Sequence, residues 1–380
     1  AADAIAASFG PPGCVATLVL PADVSWSSLV TDRATPVRRR PSVPTVADGV
    51  VDEVAALLRT RRAAILLGGS ACRRPGLDAA ARIASAAGCR LITETFPSVL
   101  DRGPDLPAPE RLNYLGELAL SQLDGTEVLV LAGATAPVSF FAYPNIASSL
   151  VPEGCEVVTL AGLDVDVTAA LEALAAALDA PSAPARQVPD RPTRPVGPLD
   201  TRSFADVVGA LLPEGCIVVD ESNTSGIGLL GATEGAPPHQ WLALTGGAIG
   251  FGLPAAVGAA IAGGGRRVIC FEADGSMCYT PQALWTMARE GLDVTVVCCS
   301  NDSYAILNFE LSRVGATASG SRARAMLDLT GPTLDLARVA EGFGVPAATA
   351  GTAEEFATAF EKSLATPGPS FINARLARIF

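Results

Sequence analysis

Lysine and histidine are almost missing from this chain. Lys362 is the sole lysine and His239 the sole histidine. A structural zinc site is excluded, because one histidine and nine cysteines without a CxxC pair offer no ligand spacing. The cysteines read instead as buried free thiols of a reducing cytoplasm. Positive charge is also short. Lysine and arginine total 27 against 39 acidic residues, a net charge of −12. That balance argues against a nucleic-acid partner, which requires a basic face. The first ten residues lack a basic stretch and contain Asp3, so they do not read as a signal peptide. Trp241 to Gly265 carries no charge and is long enough to span a bilayer. Its first half is crowded by Gly246, Gly247, Gly250 and Gly252, and Pro254 interrupts it. It reads as a glycine-rich turn feeding a buried helix, with no membrane partner expected.

What is present suits a compact α/β protein. Of 380 residues, 49% are hydrophobic and only 17% charged, enough for two domains with sizeable cores. Ala1–Phe9 reads as a short helix, Cys14–Leu20 as a strand and Pro21–Val24 as the turn ending it. A helix and strand without partners make no domain. Arg33–Pro44 is an Arg- and Pro-rich linker. From Val46 to Leu178, helices at Asp48–Arg59 and Leu77–Ala87 alternate with apolar strands at Ala64–Gly68, Arg90–Thr93, Glu127–Gly133 and Glu156–Leu160. In the first helix, Val50, Val54, Leu57 and Leu58 share one face. Such alternation predicts a parallel sheet covered on both faces. Gly68-Gly69-Ser70 is a tight turn without the GxGxxG fingerprint of a nicotinamide enzyme. After a Pro-rich linker, Asp179–Pro198, a second α/β unit follows. Its helix is Thr201–Leu212 and its strands are Cys216–Asp220, Arg267–Glu272 and Asp293–Ser300. Helices Thr333–Phe343 and Ala353–Leu364 and a strand at Ser370–Ala374 close the chain.

The chemistry concentrates at Asp274-Gly275-Ser276 and at Asn301. Between them lie a buried strand, a helix from Pro281 to Glu290 with Thr280 as its cap and Gly291 as its stop, and a second buried strand. This βαβ unit makes the strands parallel and places Asp274 and Asn301 on the same sheet edge, where open α/β sheets bind ligands. A carboxylate beside an amide oxygen suits a hard cation such as Mg²⁺, which takes few protein ligands and the rest from phosphates and water. Gly275 admits close backbone approach, Ser276 donates a hydrogen bond, and the helix start near Thr280 favours an anion. The site reads as a metal-bridged diphosphate.

Asp274-Gly275-Ser276 through Asn301 resembles the thiamine-diphosphate motif of the acetolactate synthase, pyruvate oxidase and benzoylformate decarboxylase family. The run Gly246–Ala256 resembles the family's segment beside the cofactor's pyrimidine ring, and Glu221–Ser225 its other diphosphate-side loop. The resemblance implies two doubly wound parallel-sheet domains, a central one at 46–180 and a diphosphate-binding one at 200–380. The linkers fall at 31–45 and 181–199, and 1–30 is left as the end of a pyrimidine-binding domain. It implies that Asp274, Asn301 and the Ser303 carbonyl ligate Mg²⁺. Gly275, Ser276, Asn223 and Thr224 would hold the diphosphate. Ile249 would prop the cofactor into its bent shape, the Gly247 carbonyl and Ile249 N–H would face the aminopyrimidine, and Tyr279 and Tyr304 would line the pocket.

The departures are specific. Ala273 stands where the motif usually has glycine, and Ser300 where asparagine is frequent. The glutamate that activates the cofactor in this family is expected upstream of Ala1. Histidines around the substrate typify benzoylformate-type decarboxylases. Here His239 reads as a loop residue beside Pro237-Pro238, and Val138–Pro144 carries Phe140, Phe141 and Tyr143 instead. The resemblance therefore favours a carboligase like the acetolactate synthase large subunit, acting on a small 2-oxo acid as a homodimer or homotetramer. Thr95–Gly116 does not match the flavin-binding segment of the true synthases, which counts against FAD. The alternatives are a benzoylformate-type decarboxylase and a non-catalytic chain carrying only the cofactor half-site.

Overall fold

The computed structural model describes residues 1–10, 13–28, 41–183, 190–316 and 320–378. In chain order its strands are β1 (Ala63–Leu67), β2 (Arg90–Thr93), β3 (Leu100–Arg102), β4 (Glu110–Arg111), β5 (Val128–Ala132), β6 (Glu156–Ala161), β7 (Ile217–Glu221), β8 (His239–Ala243), β9 (Val268–Ala273), β10 (Val294–Ser300), β11 (Ala347–Ala350) and β12 (Ser370–Arg375). Two compact units result. One comprises Ala1–Glu94, Pro109–Ala142 and Ile146–Pro184; the other takes Thr95–Ala108, Tyr143–Asn145 and Ala185–Phe380.

The first unit is built on a five-stranded sheet ordered β4-β2-β1-β5-β6, parallel throughout. Leu66, Leu129 and Leu131 pack with Ala119 and Leu123 of the helix Gly116–Leu123. Helices Asp48–Thr60, Arg74–Ala87 and Val167–Ala177 pack on one another and on the sheet. Every residue of β5 is buried, as expected for a parallel strand covered on both faces. In Asp48–Thr60 the buried positions are Val51, Val54, Ala55 and Leu58, so the buried stripe is centred one residue away from the predicted face.

The second unit holds a seven-stranded sheet ordered β11-β12-β10-β9-β7-β8-β3. It is parallel except for β3, which runs antiparallel to β8. On one face Leu253, Ala256, Leu284 and Met287 pack over Val219, Val268, Cys270 and Val296. On the other, Phe204 meets Phe271 edge-on at 5.8 Å and Phe356 at 5.2 Å between ring centroids. Two sheets, each sandwiched by helices, match the expected α/β class. The chain runs from β7 outward to β8 and then returns to β9 on the other side of β7. The strand order therefore reverses between β7 and β9, the kind of crevice where open sheets bind ligands.

Some local readings fail. Cys14–Leu20 is not a strand: Val15 and Val19 are 95% and 81% exposed, and without a partner an extended segment forms no ladder. Pro21–Val24 is not a simple turn, because Ala22–Trp26 forms a short helix with Pro21 at its cap. Most of the linker Arg33–Pro44 lies outside the described residues. The helix expected from Pro281 begins at Ala283 with Gln282 as its cap, for a reason that lies in the site itself. His239 opens β8 and is only 3% exposed, so it is not a loop residue. Phe140, stacked on Tyr114, and Phe141 are 46% and 57% exposed. Cys14 and Cys278 are exposed, while Cys270, Cys298 and Cys299 are fully buried free thiols. Among the described residues no helix is long and apolar enough to cross a membrane.

Candidate active site at the ends of three parallel strands

Three neighbouring strands end at one edge of the larger sheet. β7 delivers Glu221 and the turn Ser222–Thr224, β9 delivers Asp274–Ser276, and β10 delivers Asn301–Ser303. The register pairs Ala273 with Cys299, so the residues following each strand emerge side by side. The Asp274 carboxylate ties the two turns together. Its Oδ1 accepts the N–H of Gly275 at 2.8 Å. Its Oδ2 accepts the N–H groups of Asn301 at 2.9 Å and Asp302 at 2.7 Å. Asn301 Oδ1 in turn accepts the N–H of Ser303 at 3.1 Å. Asp274 and Asn301 are 3% and 5% exposed. Burial raises the Asp274 pKa against the pull of its three N–H donors.

This donor set is compatible with a divalent cation. Each carboxyl or amide oxygen has two acceptor positions. The bonds above leave capacity on Asp274 Oδ1 and Asn301 Oδ1, both hard oxygen donors of the kind Mg²⁺ prefers. Among the described residues no group of three His, Cys, Asp or Glu side chains is placed to bind a metal. A cation here would need most of its ligands from outside those residue types.

Asp274–Met277 forms a single helical turn directly after β9, so the N-terminus at this edge belongs to Asp274–Ser276 and not to Thr280. Thr280 Oγ1 donates to the Gly250 carbonyl at 2.9 Å, which takes it away from capping. Gly275 also has a steric reason to be glycine: a Cβ there would lie 2.4 Å from the Tyr304 ring. Ser276 Oγ points inward, with Glu272 Oε2 at 3.2 Å and the Ala273 carbonyl at 3.1 Å. Asn223 is exposed, holds a left-handed φ of 51° and donates from Nδ2 to the Glu221 carbonyl at 3.0 Å. Thr224 is partly exposed beside it.

The segment Thr245–Ile249 is exposed and glycine-rich. Gly246, Gly247 and Gly250 hold φ of 68°, 64° and 88°, a region other residues rarely enter. Ile249 is 40% and Tyr279 58% exposed, so neither is a core residue. Tyr279 lies against Gly250, where an added Cβ would meet its Cβ at 2.8 Å.

Two further residues stand at this edge that the pattern of motifs did not single out by role. Glu221 and Glu272 face each other in register on β7 and β9, at 1% and 0% exposure. Burial raises both pKa values, and for Glu272 the neighbouring Glu221 adds to the effect. A register argument could have found them, since paired positions on neighbouring parallel strands point to the same face.

Comparison with known proteins decides the family. Residues 227–374 match the thiamine pyrophosphate enzyme C-terminal TPP-binding domain. Over 364 residues the chain is 52% identical to a Mycobacterium tuberculosis protein provisionally named acetolactate synthase large subunit IlvX, covering 94% of this chain and 69% of that protein. The chain belongs to the thiamine-diphosphate-dependent family of acetolactate synthases and benzoylformate decarboxylases. A benzoylformate decarboxylase of Pseudomonas aeruginosa is 32% identical over 267 residues, 66% of this chain and 48% of that enzyme. The fold matches the crystal structure of benzoylformate decarboxylase from Polynucleobacter necessarius with a TM-score of 0.75 at 23% identity, covering 93% of this chain and 68% of that one. This member thus spans about two thirds of the first relative's length and about half of the second's.

Proposed function

We propose that this chain carries the diphosphate half of a thiamine-diphosphate- and Mg²⁺-dependent site that decarboxylates a 2-oxo acid and joins the product to a second one, as an acetolactate synthase large subunit does. The observation that carries the reading is the buried Asp274 carboxylate bound to the backbone of the Asn301 turn, at the sheet's reversal point. In this reading Asp274 and Asn301 offer side-chain oxygens to the cation and Ser303 its carbonyl. Gly275, Ser276, Asn223 and Thr224 hold the diphosphate. Ile249, the Gly247 carbonyl, Tyr279 and Tyr304 shape the pocket around the rings. The central domain lies within residues 46–180, with Thr95–Ala108 and Tyr143–Asn145 joining the diphosphate-binding domain at 200–380.

Bound thiamine diphosphate supplies a carbon nucleophile for the keto group and accepts the electron pair released with CO₂. The protein's share is placement. Asp274 fixes the turn that carries the cation ligands, and Ile249 stands out of the loop where a bulky apolar side chain can press on the cofactor. Holding reacting groups together in this way supplies much of the barrier reduction in such sites. In this reading the activating glutamate is supplied by the pyrimidine-binding domain of a second subunit in a homodimer or homotetramer. FAD is not part of the reading.

A second reading, a benzoylformate-type decarboxylase, is favoured by the P. aeruginosa relative. Against it stands His239. Its Nδ1 lies 2.8 Å from the Pro237 carbonyl and the ring is buried, so the sole histidine is not available to a substrate. Product analysis separates the readings. The intact protein is supplied with pyruvate or with benzoylformate, together with thiamine diphosphate and Mg²⁺. Acetolactate from pyruvate supports the carboligase, benzaldehyde from benzoylformate the decarboxylase. No turnover of either, in protein that binds the cofactor, favours a non-catalytic half-site.

A further inference from the structure

The loop expected to face the pyrimidine is soft by composition, yet it must hold one shape. Glycines at 246, 247 and 250 all sit at positive φ, and the stretch 245–249 is exposed. The structure shows what anchors its downstream end. Glu221 Oε1 accepts the Gly250 N–H and Oε2 accepts the Gly252 N–H, each at 2.5 Å. Gly252 begins the helix Gly252–Ala262, which has no side-chain cap of its own at Phe251. One of its unpaired N–H groups turns to a strand end instead, since Glu221 takes that of Gly252. A Cβ at Gly252 would sit 2.0 Å from Glu272 Oε1 and 3.1 Å from Glu221 Oε2, so the helix start lies directly on the two carboxyl groups. Ser276 joins the same cluster, its hydroxyl 3.2 Å from Glu272 Oε2.

We propose that Glu221 is a positioning residue, a clamp whose two carboxylate oxygens hold Gly250 and Gly252 and thereby lock the Gly246–Gly252 loop to the end of β7, beside the Ser222–Thr224 turn. The proposal rests on the thiamine-diphosphate reading for its purpose, since the clamp would join the pyrimidine side of the pocket to the diphosphate side. The bonds themselves exist without the cofactor. Hydrogen bonds to a charged acceptor are stronger than neutral ones, and burial leaves a released N–H without a water partner. Glu221→Gln puts an amide nitrogen against one of two backbone donors, so one bond becomes a clash of donors.

The test follows amide exchange by mass spectrometry across residues 244–253 of the intact, cofactor-free protein. Glu221→Gln should speed exchange at Gly250 and Gly252 by about tenfold or more, while peptides from the β1–β2 region stay unchanged. With thiamine diphosphate and Mg²⁺ added, the variant should lose kcat with KM for the 2-oxo acid nearly unchanged. The near-ultraviolet circular dichroism of the bound pyrimidine should change as well. Glu221→Asp keeps the charge but withdraws it by one methylene. It should show the same pattern at smaller amplitude, and it serves as the deciding variant where Glu221→Gln does not fold. Unchanged exchange in a folded variant overturns the clamp. A wild-type protein that shows the exchange contrast but binds no thiamine diphosphate removes the cofactor reading and leaves the clamp standing.

Discussion

Asp274 accepts backbone N–H groups from both Asn301 and Asp302 through one carboxylate oxygen, at 2.9 and 2.7 Å. The bond joins the turn after β9 to the turn after β10. The same carboxylate is the proposed Mg²⁺ ligand, so it has a structural and a binding role together. Asp274→Ala should cost about 1–3 kcal/mol of stability, because three N–H donors lose their acceptor in a buried place. It should also abolish Mg²⁺-dependent binding of thiamine diphosphate by titration calorimetry at a temperature where the variant stays folded. Unchanged cofactor affinity in folded variant protein would contradict the metal assignment.

Gly275 and Tyr304 give a second prediction. The Cβ of Gly275→Ala would approach the Tyr304 ring to 2.4 Å. Overpacking of this kind costs about 1–3 kcal/mol. The ring is partly exposed, so the double variant Gly275→Ala/Tyr304→Ala should recover a large part of that loss. Thermal melts of the two single variants and the double variant read the coupling directly. Additive losses would show that the ring is not what demands a glycine at this position.

The strand–helix–strand unit around Asp274 was legible because its strands are buried on both faces. Val268–Phe271 and Val296–Cys299 are continuous apolar runs, and parallel pairing follows from the helix between them. The antiparallel β3 was not legible. Leu100–Arg102 is short, and its partner β8 lies far along the chain, so nothing local announces the ladder. β4 and β11 are likewise too short or too exposed to carry a periodic signal. Thr280 followed by Pro281 is a sound local cap signal, yet the Thr280 hydroxyl bonds to Gly250 and the helix starts later. The Glu221–Glu272 pair depends on strand register across β7 and β9, which no motif expresses. Asp274 and Asn301 were accessible because each directly follows a strand whose direction could be inferred, whereas Ser303 entered only through the resemblance to the family.

Ile249 separates packing from cofactor contact. At 40% exposure it contributes little to the core, so Ile249→Ala should change stability by no more than about 0.5 kcal/mol. The cofactor reading requires that the same substitution lower kcat, because the side chain would no longer press the bound cofactor into its bent form. A melt and a steady-state assay on the one variant suffice. A marked drop in melting temperature with kcat retained would return Ile249 to an ordinary packing role.

His239 sets an acid limit on stability. It is 3% exposed, and burial pushes its pKa down from 6.5 to about 4, with the Pro237 carbonyl opposing and Arg102 and Arg191 assisting. A depressed folded pKa means that the unfolded chain takes up a proton first as pH falls. The contribution is therefore fully present above about pH 6.5 and is lost progressively toward pH 4. A difference of this size corresponds to about 3 kcal/mol across that window. Denaturant melts of the wild type between pH 7 and pH 4 should show this loss on top of the carboxylate contributions. His239→Gln removes the titrating group and should flatten that part of the curve, even if its stability at neutral pH is lower. Curves for wild type and variant that run parallel from pH 7 to pH 4 would show that His239 takes up its proton equally in both states, and the burial argument for this residue would fail.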